Sequence, residues 1–395
     1  MEGSNQKNMS SNRKFINQIE PFIDKTELEY LTKVVESTFV TEHNLTKEFE
    51  QLFKEYTGAK HVIAYTNGTL ALYAILKSLN IGPGDEVIVP DLTFIATANA
   101  VILAGATPIF CDIETENFGL DLVHAKELIS ENTKAIMPVH LYGLSCKIDQ
   151  LRTFSNKNNL FLIEDAAQGV GVRYKCIEEY ESDKKYNSYI DDKFQHVGTF
   201  GIAGILSFYG NKTMTCGEGG LILTNDDEIA KKCYRLKNHG RDVKGIFTHD
   251  HIGFNFSFTE MQAAVGVAQF KKLDKIISKK AQFHKKYYEG LKDISQIQLM
   301  DVPRNVQPVH WFTNIFVDNV DNLANFLKEK GIGTRRFFYP LHLQPCYKEF
   351  SQDLSSKNFK NSIKSYNTAL SLPSLYSLSE DDQEYIINTI KEYYE

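Results

Sequence analysis

The chain has 395 residues, of which 42% are hydrophobic and 24% charged, and its formal net charge is −6. This length and composition are sufficient for a full hydrophobic core, and we expect one large domain and a smaller one. The acidic balance argues against the basic surface that nucleic acids and anionic membranes require. Residues 1–21 read as a polar tail, and no apolar run approaches the length of a membrane span.

The six cysteines are scattered along the chain, without a CxxC pair and without a histidine at metal-ligand spacing. We interpret them as reduced thiols in a cytoplasmic protein that binds no metal. They are Cys111, Cys146, Cys176, Cys216, Cys233 and Cys346.

Between residues 60 and 226, short apolar runs alternate with helical patterns, which predicts an α/β fold with a mainly parallel sheet and helices on both faces. Seven runs predict strands: HVIAYT, DEVIVP, TPIFCDI, KAIMPVHL, LFLIED, GILSFYG and GLILTN. Ligands of open α/β sheets gather at the carboxyl ends of the strands. The polar residues that end these runs are therefore the first candidates for a functional site.

The first crossover helix is predicted by Leu72, Ile75, Leu76 and Leu79, which share one helix face. Its start, Asn67-Gly68-Thr69, could hold an anion on free backbone N–H groups at the positive end of the helix dipole. A plain helix cap explains the same residues.

Further candidates follow two of the predicted strands. Phe94 could stack on a flat ligand, or it could be a core phenylalanine. The strand FLIED ends in Glu164 and Asp165, with Gln168 one turn further on. A carboxylate in this position could be a solvated strand end, a metal ligand, or a partner for a protonated ring nitrogen. The absence of a His or Cys cluster disfavours the metal.

The charged, tyrosine-rich stretch 173–196 is predicted to be a surface insertion. Thr259 and Gln262 have capping-box spacing, which predicts a long helix from Thr259 toward Leu291. We therefore expect a large domain over 22–270 and a small α+β domain over 271–395.

Lys212 follows the strand GILSFYG and precedes Glu218-Gly219-Gly220, where small residues permit close approach of the backbone to a bulky group. A lysine forms a Schiff base once it is deprotonated, and burial favours deprotonation. Alone, Lys212 reads as an exposed residue. Together with the Gly68 turn, Asp165 and Phe94, it supplies the amine, anion cradle, acid and flat hydrophobe that pyridoxal phosphate (PLP) requires.

The ordered series YTNGTLAL, VPDLTFIATANAV, GATPIFCDI, PVHLYG, IEDAAQ, SFYGNKTMTCGEGG, GFNFSFTEMQAA and RRFFYPLHLQPCY resembles the fold-type I, PLP-dependent aminotransferases that make amino sugars on nucleotide carriers. The resemblance runs from Phe22 to the C-terminus. The GNKT…GEGG form is most similar to the perosamine and viosamine synthases, which aminate C4 of a nucleotide-linked 4-keto-6-deoxyhexose.

This resemblance implies a role for each matched position. Lys212 would bind PLP covalently and move the proton, Asp165 would pair with the ring nitrogen, and Gln168 would lie near the phenolic oxygen. Phe94 would cover the ring. The phosphate would be bound by Gly68, Thr69, Ser207 and, from the neighbouring subunit, Asn255, which implies a homodimer with shared active sites.

The resemblance also implies sugar-nucleotide contacts, at His310, Trp311, His342 and Tyr347, and it places His140 near the cofactor. The implied reaction transfers an amine from L-glutamate to C4 of the keto sugar, giving a viosamine- or perosamine-type product for glycan biosynthesis. C3 amination, a PLP-dependent dehydratase and a non-catalytic PLP-binding homologue stay open, although the dehydratases carry histidine in place of Lys212. Two features depart from the family: the long insertion 173–196, and Ile202, where Asp is frequent.

Overall fold

A seven-stranded sheet forms the centre of the computed structural model, which describes residues 14–176, 193–242, 245, 247–348 and 354–395. The strands in these ranges, in chain order, are β1 His61–Tyr65, β2 Glu86–Pro90, β3 Thr107–Cys111, β4 Thr133–Ile136, β5 Phe161–Asp165, β6 Arg173–Tyr174, β7 Gln195–His196, β8 Ala203–Ser207, β9 Gly220–Thr224, β10 Ile297–Leu299, β11 Val306–Gln307, β12 Asn314–Val317, β13 Arg335–Arg336 and β14 Ala369–Ser371.

The helices of the same ranges are α1 Lys25–Ser37, α2 Asn44–Thr57, α3 Gly68–Ser78, α4 Ala96–Leu103, α5 Leu122–Glu127, α6 Ile148–Lys157, α7 Asp227–Lys237, α8 Glu260–Phe270, α9 Leu273–Leu291, α10 Val320–Glu329, α11 Lys360–Thr368 and α12 Glu380–Tyr394. Short 3₁₀ turns lie at Leu341–Leu343, Pro345–Tyr347 and Ser356–Asn358. None of the helices in the described ranges has both the length and the apolar character that a bilayer span requires.

The central sheet has the order β1-β9-β8-β5-β4-β2-β3, and β9 pairs antiparallel with both of its neighbours. The other four pairings are parallel. Every residue of β8 and β9 is buried, as expected for near-continuous apolar strands covered on both sides. The predicted mainly parallel seven-stranded sheet is confirmed.

A second, four-stranded antiparallel sheet has the order β10-β12-β14-β13. Side chains from α9, α10 and α12 join it in a separate hydrophobic cluster that includes Tyr287, Leu323 and Ile386. This is the smaller α+β unit that the sequence predicts. The domain bounds, 22–270 and 271–395, stay predictions.

The helix predicted from Thr259 toward Leu291 is two helices. Its start is confirmed, because Thr259 and Gln262 form the reciprocal hydrogen bonds of a capping box. The helical path is interrupted at Lys271 and Lys272, where the Lys272 N–H donates to the Gln269 carbonyl, three residues back. A single long helix was therefore the wrong prediction for this stretch.

The ends of the described ranges bear on two other predicted segments. Residues 1–13 of the tail lie outside them, while Ile16 is buried and exchanges backbone hydrogen bonds with Gly331 and Gly333. The insertion 173–196 lies outside the described residues from 177 to 192. Its two ends, β6 and β7, pair with each other, and β11 adds a third strand.

Candidate active site

A cavity of about 540 Å³ opens where the carboxyl ends of β5 and β8 meet the N-terminus of α3. Parallel strands and the first turn of a crossover helix make this edge the usual ligand site of an α/β sheet. Eight of the residues singled out from the sequence line it: Gly68, Thr69, Phe94, Asp165, Gln168, Ser207, Lys212 and Trp311.

Lys212 lies in the loop after β8, where its backbone N–H donates to the Tyr209 carbonyl at 3.0 Å. Its Nζ lies 4.8 Å from the centre of the Trp311 ring. The ring is held by a hydrogen bond from Nε1 to the Asn211 carbonyl, at 2.9 Å. Burial lowers the pKa of Lys212 to about 8, the charge of Asp165 opposes this, and the charge of Arg335 adds to it. Near physiological pH, a far larger fraction of this amine is therefore neutral and nucleophilic than in an ordinary lysine.

Asp165 ends β5 with its carboxylate buried at the cavity wall. One oxygen accepts a hydrogen bond from Thr97 Oγ1 at 2.8 Å, and the other accepts one from the Ala167 N–H at 3.0 Å. Burial raises the pKa of Asp165, and the Thr97 and Ala167 hydrogen bonds together with the Lys212 charge oppose that rise. A buried, oriented carboxylate of this kind suits a protonated ring nitrogen.

The first turn of α3 forms an anion cradle with the end of β8. The Asn67 side chain caps the helix by accepting from the Leu70 N–H at 2.9 Å, and Gly68, Thr69 and Ser207 line the cavity beside it. A Cβ added to Gly220 would lie 2.6 Å from the Asn67 carbonyl carbon, so only glycine allows β9 to approach this turn. Backbone N–H groups at a helix start bind phosphate readily.

Gln168 and Phe94 lie on other walls of the cavity. Gln168 Oε1 accepts from the Tyr142 N–H at 2.7 Å, which leaves its amide NH₂ available to a ligand. The Phe94 side chain is 55% exposed, and its ring lies 5.9 Å from that of Phe338. The cavity thus has an amine, a carboxylate, an anion cradle and an accessible flat ring, which together fit PLP.

His140 lies behind this site in a fully buried pair, with Nε2 2.9 Å from Glu164 Oε2. Burial by itself lowers the pKa of His140, but the neighbouring Cys146 and Glu164 raise it above its usual value. The His140 backbone N–H donates to the Asp165 carbonyl at 3.0 Å. His140 therefore supports the strand end that carries Asp165 and does not line the cavity.

Glu164 also accepts from the backbone N–H groups of Gly198, Phe200 and Gly201, at 2.6–2.7 Å. Two adjacent carboxylates on β5 thus have opposite surroundings, because successive side chains of a strand point to opposite faces. Glu164 has its hydrogen bonds filled by protein, and Asp165 faces the cavity.

Four other predicted residues lie outside the cavity lining. Asn255 is exposed, and its Oδ1 accepts weakly from the Ser257 N–H at 3.3 Å. The His310 ring stacks on His284 at 3.7 Å. His342 and Tyr347 contact residues on the C-terminal side of β2. His342 Nδ1 lies 2.7 Å from Asp91 Oδ2, and the Tyr347 hydroxyl donates to Asn99 Oδ1 at 2.7 Å. The ligand-binding roles of all four stay predictions.

The structure adds residues to the cavity that the sequence alone did not single out, among them Thr97, Tyr209, Arg335 and Phe338. Arg335 and Phe338 belong to the RRFFYPLHLQPCY motif, so the motif was the available signal for them. Their place in the cavity depends on how the second sheet docks on the first.

Comparisons with known proteins identify the family of the chain. Residues 21–391 match the DegT/DnrJ/EryC1/StrS aminotransferase family. The chain is 34% identical to the GDP-perosamine synthase of Escherichia coli O157:H7 over 391 residues, which cover 96% of this chain and 99% of that protein.

Two solved structures have the same fold. A DegT/DnrJ/EryC1/StrS aminotransferase from Brucella abortus superposes with a TM-score of 0.82 at 32% identity, covering 94% of this chain and 95% of the other. S. venezuelae DesV, solved in complex with a ketimine intermediate, gives a TM-score of 0.85 at 29% identity, covering 97% and 99%. The chain therefore belongs to the DegT/DnrJ/EryC1/StrS family of PLP-dependent sugar aminotransferases.

Proposed function

We propose that this enzyme transfers an amino group from L-glutamate to C4 of a nucleotide-linked 4-keto-6-deoxyhexose, giving a viosamine- or perosamine-type sugar. The observation that carries the proposal is Lys212, whose amine shares one cavity with the buried carboxylate of Asp165. The C4 position is supported by the similarity to GDP-perosamine synthase over nearly the whole chain.

Bound PLP supplies an aldehyde for the amine and an electron-withdrawing ring that weakens the substrate's C–H bond. In our proposal the ring nitrogen is held protonated by the carboxylate of Asp165, which Thr97 orients. Lys212 would hold the cofactor through its amine. Once the donor's amino group has replaced that amine, the freed Lys212 amine would take the proton from the donor's α-carbon. A pKa of about 8 suits this task, because a general base works best when its pKa is near the working pH.

The remaining lining residues position the cofactor in this proposal. The phosphate lies on the backbone N–H groups of Gly68 and Thr69 and on the Ser207 hydroxyl, where the α3 dipole favours negative charge. Phe94 stacks on the ring, and the free amide group of Gln168 donates toward the phenolic oxygen. Trp311 lies beside the keto sugar, with His310, His342 and Tyr347 in a surrounding shell that shapes the pocket.

We further propose a homodimer in the cytoplasm. Asn255 would bind the phosphate in the partner's site, which agrees with its exposure and its position outside its own cavity. Its neighbours Ile252 and Phe254 are 87% and 42% exposed, and a second copy of the chain would bury this apolar surface. The proposed cytoplasmic location is supported by the six cysteines, all of which are free thiols.

Product analysis tests the proposed function. The holoenzyme is incubated with L-glutamate and a 4-keto-6-deoxyhexose on GDP, dTDP or UDP, with the Lys212→Ala variant as the control. We expect one nucleotide sugar to gain an amine at C4, with stoichiometric 2-oxoglutarate. Amination at C3, or loss of a ring hydroxyl without amination, would contradict the proposal.

A further inference from the structure

Two adjacent arginines on β13 have different surroundings. The Arg336 guanidinium forms an ion pair with Asp321 and donates to the Tyr366 carbonyl at 2.6 Å. Arg335 lines the cavity, and among the described residues its guanidinium has no carboxylate partner and no hydrogen-bond acceptor. A guanidinium presents five donors in a planar fork that matches a carboxylate. Arg335 therefore offers an unfilled anion site.

The position of Arg335 relates it to Lys212 through a pair of aromatic rings. Its guanidinium lies 6.0 Å from the centre of the Phe312 ring. That ring contacts Trp311, with the two centroids 4.2 Å apart, and Trp311 lies 4.8 Å from Lys212 Nζ. The two cations thus flank one aromatic pair, of which Trp311 lines the cavity. The influence of the Arg335 charge on the pKa of Lys212 agrees with this proximity.

We propose that Arg335 binds the side-chain carboxylate of the amino donor and so selects a dicarboxylic amino acid for the half-reaction at Lys212. The inference rests on the proposed function, because it assumes a donor such as glutamate. It assigns the specificity for the donor to a residue of the four-stranded antiparallel sheet. The Lys212 amine and the Asp165 carboxylate, in contrast, are positioned by the seven-stranded sheet.

Substrate geometry favours a carboxylate over the other anion of the reaction, a nucleoside diphosphate. In a dicarboxylic amino acid, the side-chain carboxylate is only two or three carbons from the carbon that bears the amine, so that it stays near Lys212 when the amine reacts. In a nucleotide sugar, the hexose ring separates the diphosphate from the reacting carbon. An arginine that shares an aromatic pair with Lys212 is thus placed for the donor.

The test measures ligand binding directly on the holoenzyme by calorimetry, with glutarate as the dicarboxylate probe and GDP, dTDP and UDP as diphosphate probes. Arg335→Gln is expected to weaken glutarate binding roughly 10- to 100-fold, which is the size expected for a lost charge-assisted hydrogen-bonded pair. It should leave diphosphate binding within about twofold. Arg335→Lys restores the charge without the planar fork and should bind glutarate more tightly than Arg335→Gln does.

Arg336→Gln is the matched control, from the same strand and with the same change of charge. Because Arg336 is already paired with Asp321, its substitution should leave glutarate binding unchanged. Normal glutarate binding by Arg335→Gln, or a loss confined to the diphosphates, would overturn the inference.

The two proposals fail in different ways. If the wild-type enzyme aminates C3 while Arg335→Gln selectively loses glutarate, the proposed C4 function is wrong and the donor site stands. If the wild-type enzyme makes the C4 amine from glutamate while Arg335→Gln binds glutarate normally, the donor site alone is wrong.

Discussion

Two lysines, the half-buried Lys212 of the large unit and the buried Lys280 of α9, share a lowered pKa but differ in what their amines contact. Burial lowers the pKa of Lys212 to about 8 and that of Lys280 to about 7. The Lys280 amine donates to the Trp311 and Ser374 carbonyls at 3.1 and 2.9 Å and lies 3.2 Å from the Ser374 hydroxyl. No hydrogen bond from the Lys212 amine is found among the described residues, and that amine faces the cavity.

The difference shows that a perturbed pKa by itself does not identify a reactive amine. The Lys280 amine connects two backbone segments by donating to the carbonyls of Trp311 and Ser374, so Lys280 is a structural residue. The Lys212 donors remain available to a ligand. Geometry therefore separates two residues that electrostatics alone would rank together.

The largest expected effect separates the lysines by activity. Lys212→Ala should lower turnover by about 10³-fold or more, because it removes both the cofactor's amine and the proton carrier. The turnover of Lys280→Met, which preserves side-chain length, should stay within about tenfold of wild type. Lys280 contacts the site only indirectly, through its hydrogen bond to the Trp311 carbonyl. Steady-state rates at saturating substrate measure both. Comparable losses in the two variants would remove the distinction.

A smaller effect is expected on stability at pH 9, where the Lys280 amine is neutral. Lys280→Met should lower the free energy of unfolding by about 1–3 kcal/mol, because it leaves two buried carbonyls without their donor. Urea unfolding followed by circular dichroism measures this difference. A fully stable variant would show that the Lys280 hydrogen bonds contribute nothing.

A final prediction sharpens the comparison through the pH dependence of stability. The folded-state pKa of Lys280 is about 7, while the ordinary value is 10.5. Between these values the unfolded chain binds more protons than the folded one, so this group makes the free energy of unfolding rise with pH. The free energy of unfolding of wild type minus that of Lys280→Met should therefore rise from pH 7 toward pH 10. A difference that is constant over this range would mean that Lys280 titrates normally.

The elements that depend on local pattern were predictable from the sequence. Each of the seven central strands is an apolar run long enough to be recognised. Asp165 ends one of these strands and Lys212 follows another, at the edge where parallel strands gather ligands. The Thr259 capping box was equally local. The interruption at Lys271 and Lys272 was not predictable, because charged residues continue the helical pattern through it.

Residues whose surroundings come from distant parts of the chain were harder to predict. Arg335 reaches the cavity through the docking of the second sheet, which no local pattern encodes. His342 and Tyr347 belong to a recognisable motif, but their partners, Asp91 and Asn99, lie about 250 residues away in sequence. Motif membership therefore indicated the region and not the contacts.

The central claim is that Lys212, and no other lysine, holds the cofactor, and one measurement tests it most directly. The holoenzyme is reduced with borohydride, which fixes an imine-linked cofactor to its lysine, and then digested and sequenced by mass spectrometry. We predict the pyridoxyl mass on Lys212 alone. Its recovery on Lys280 or on any other lysine, with Lys212 unmodified, would contradict the account.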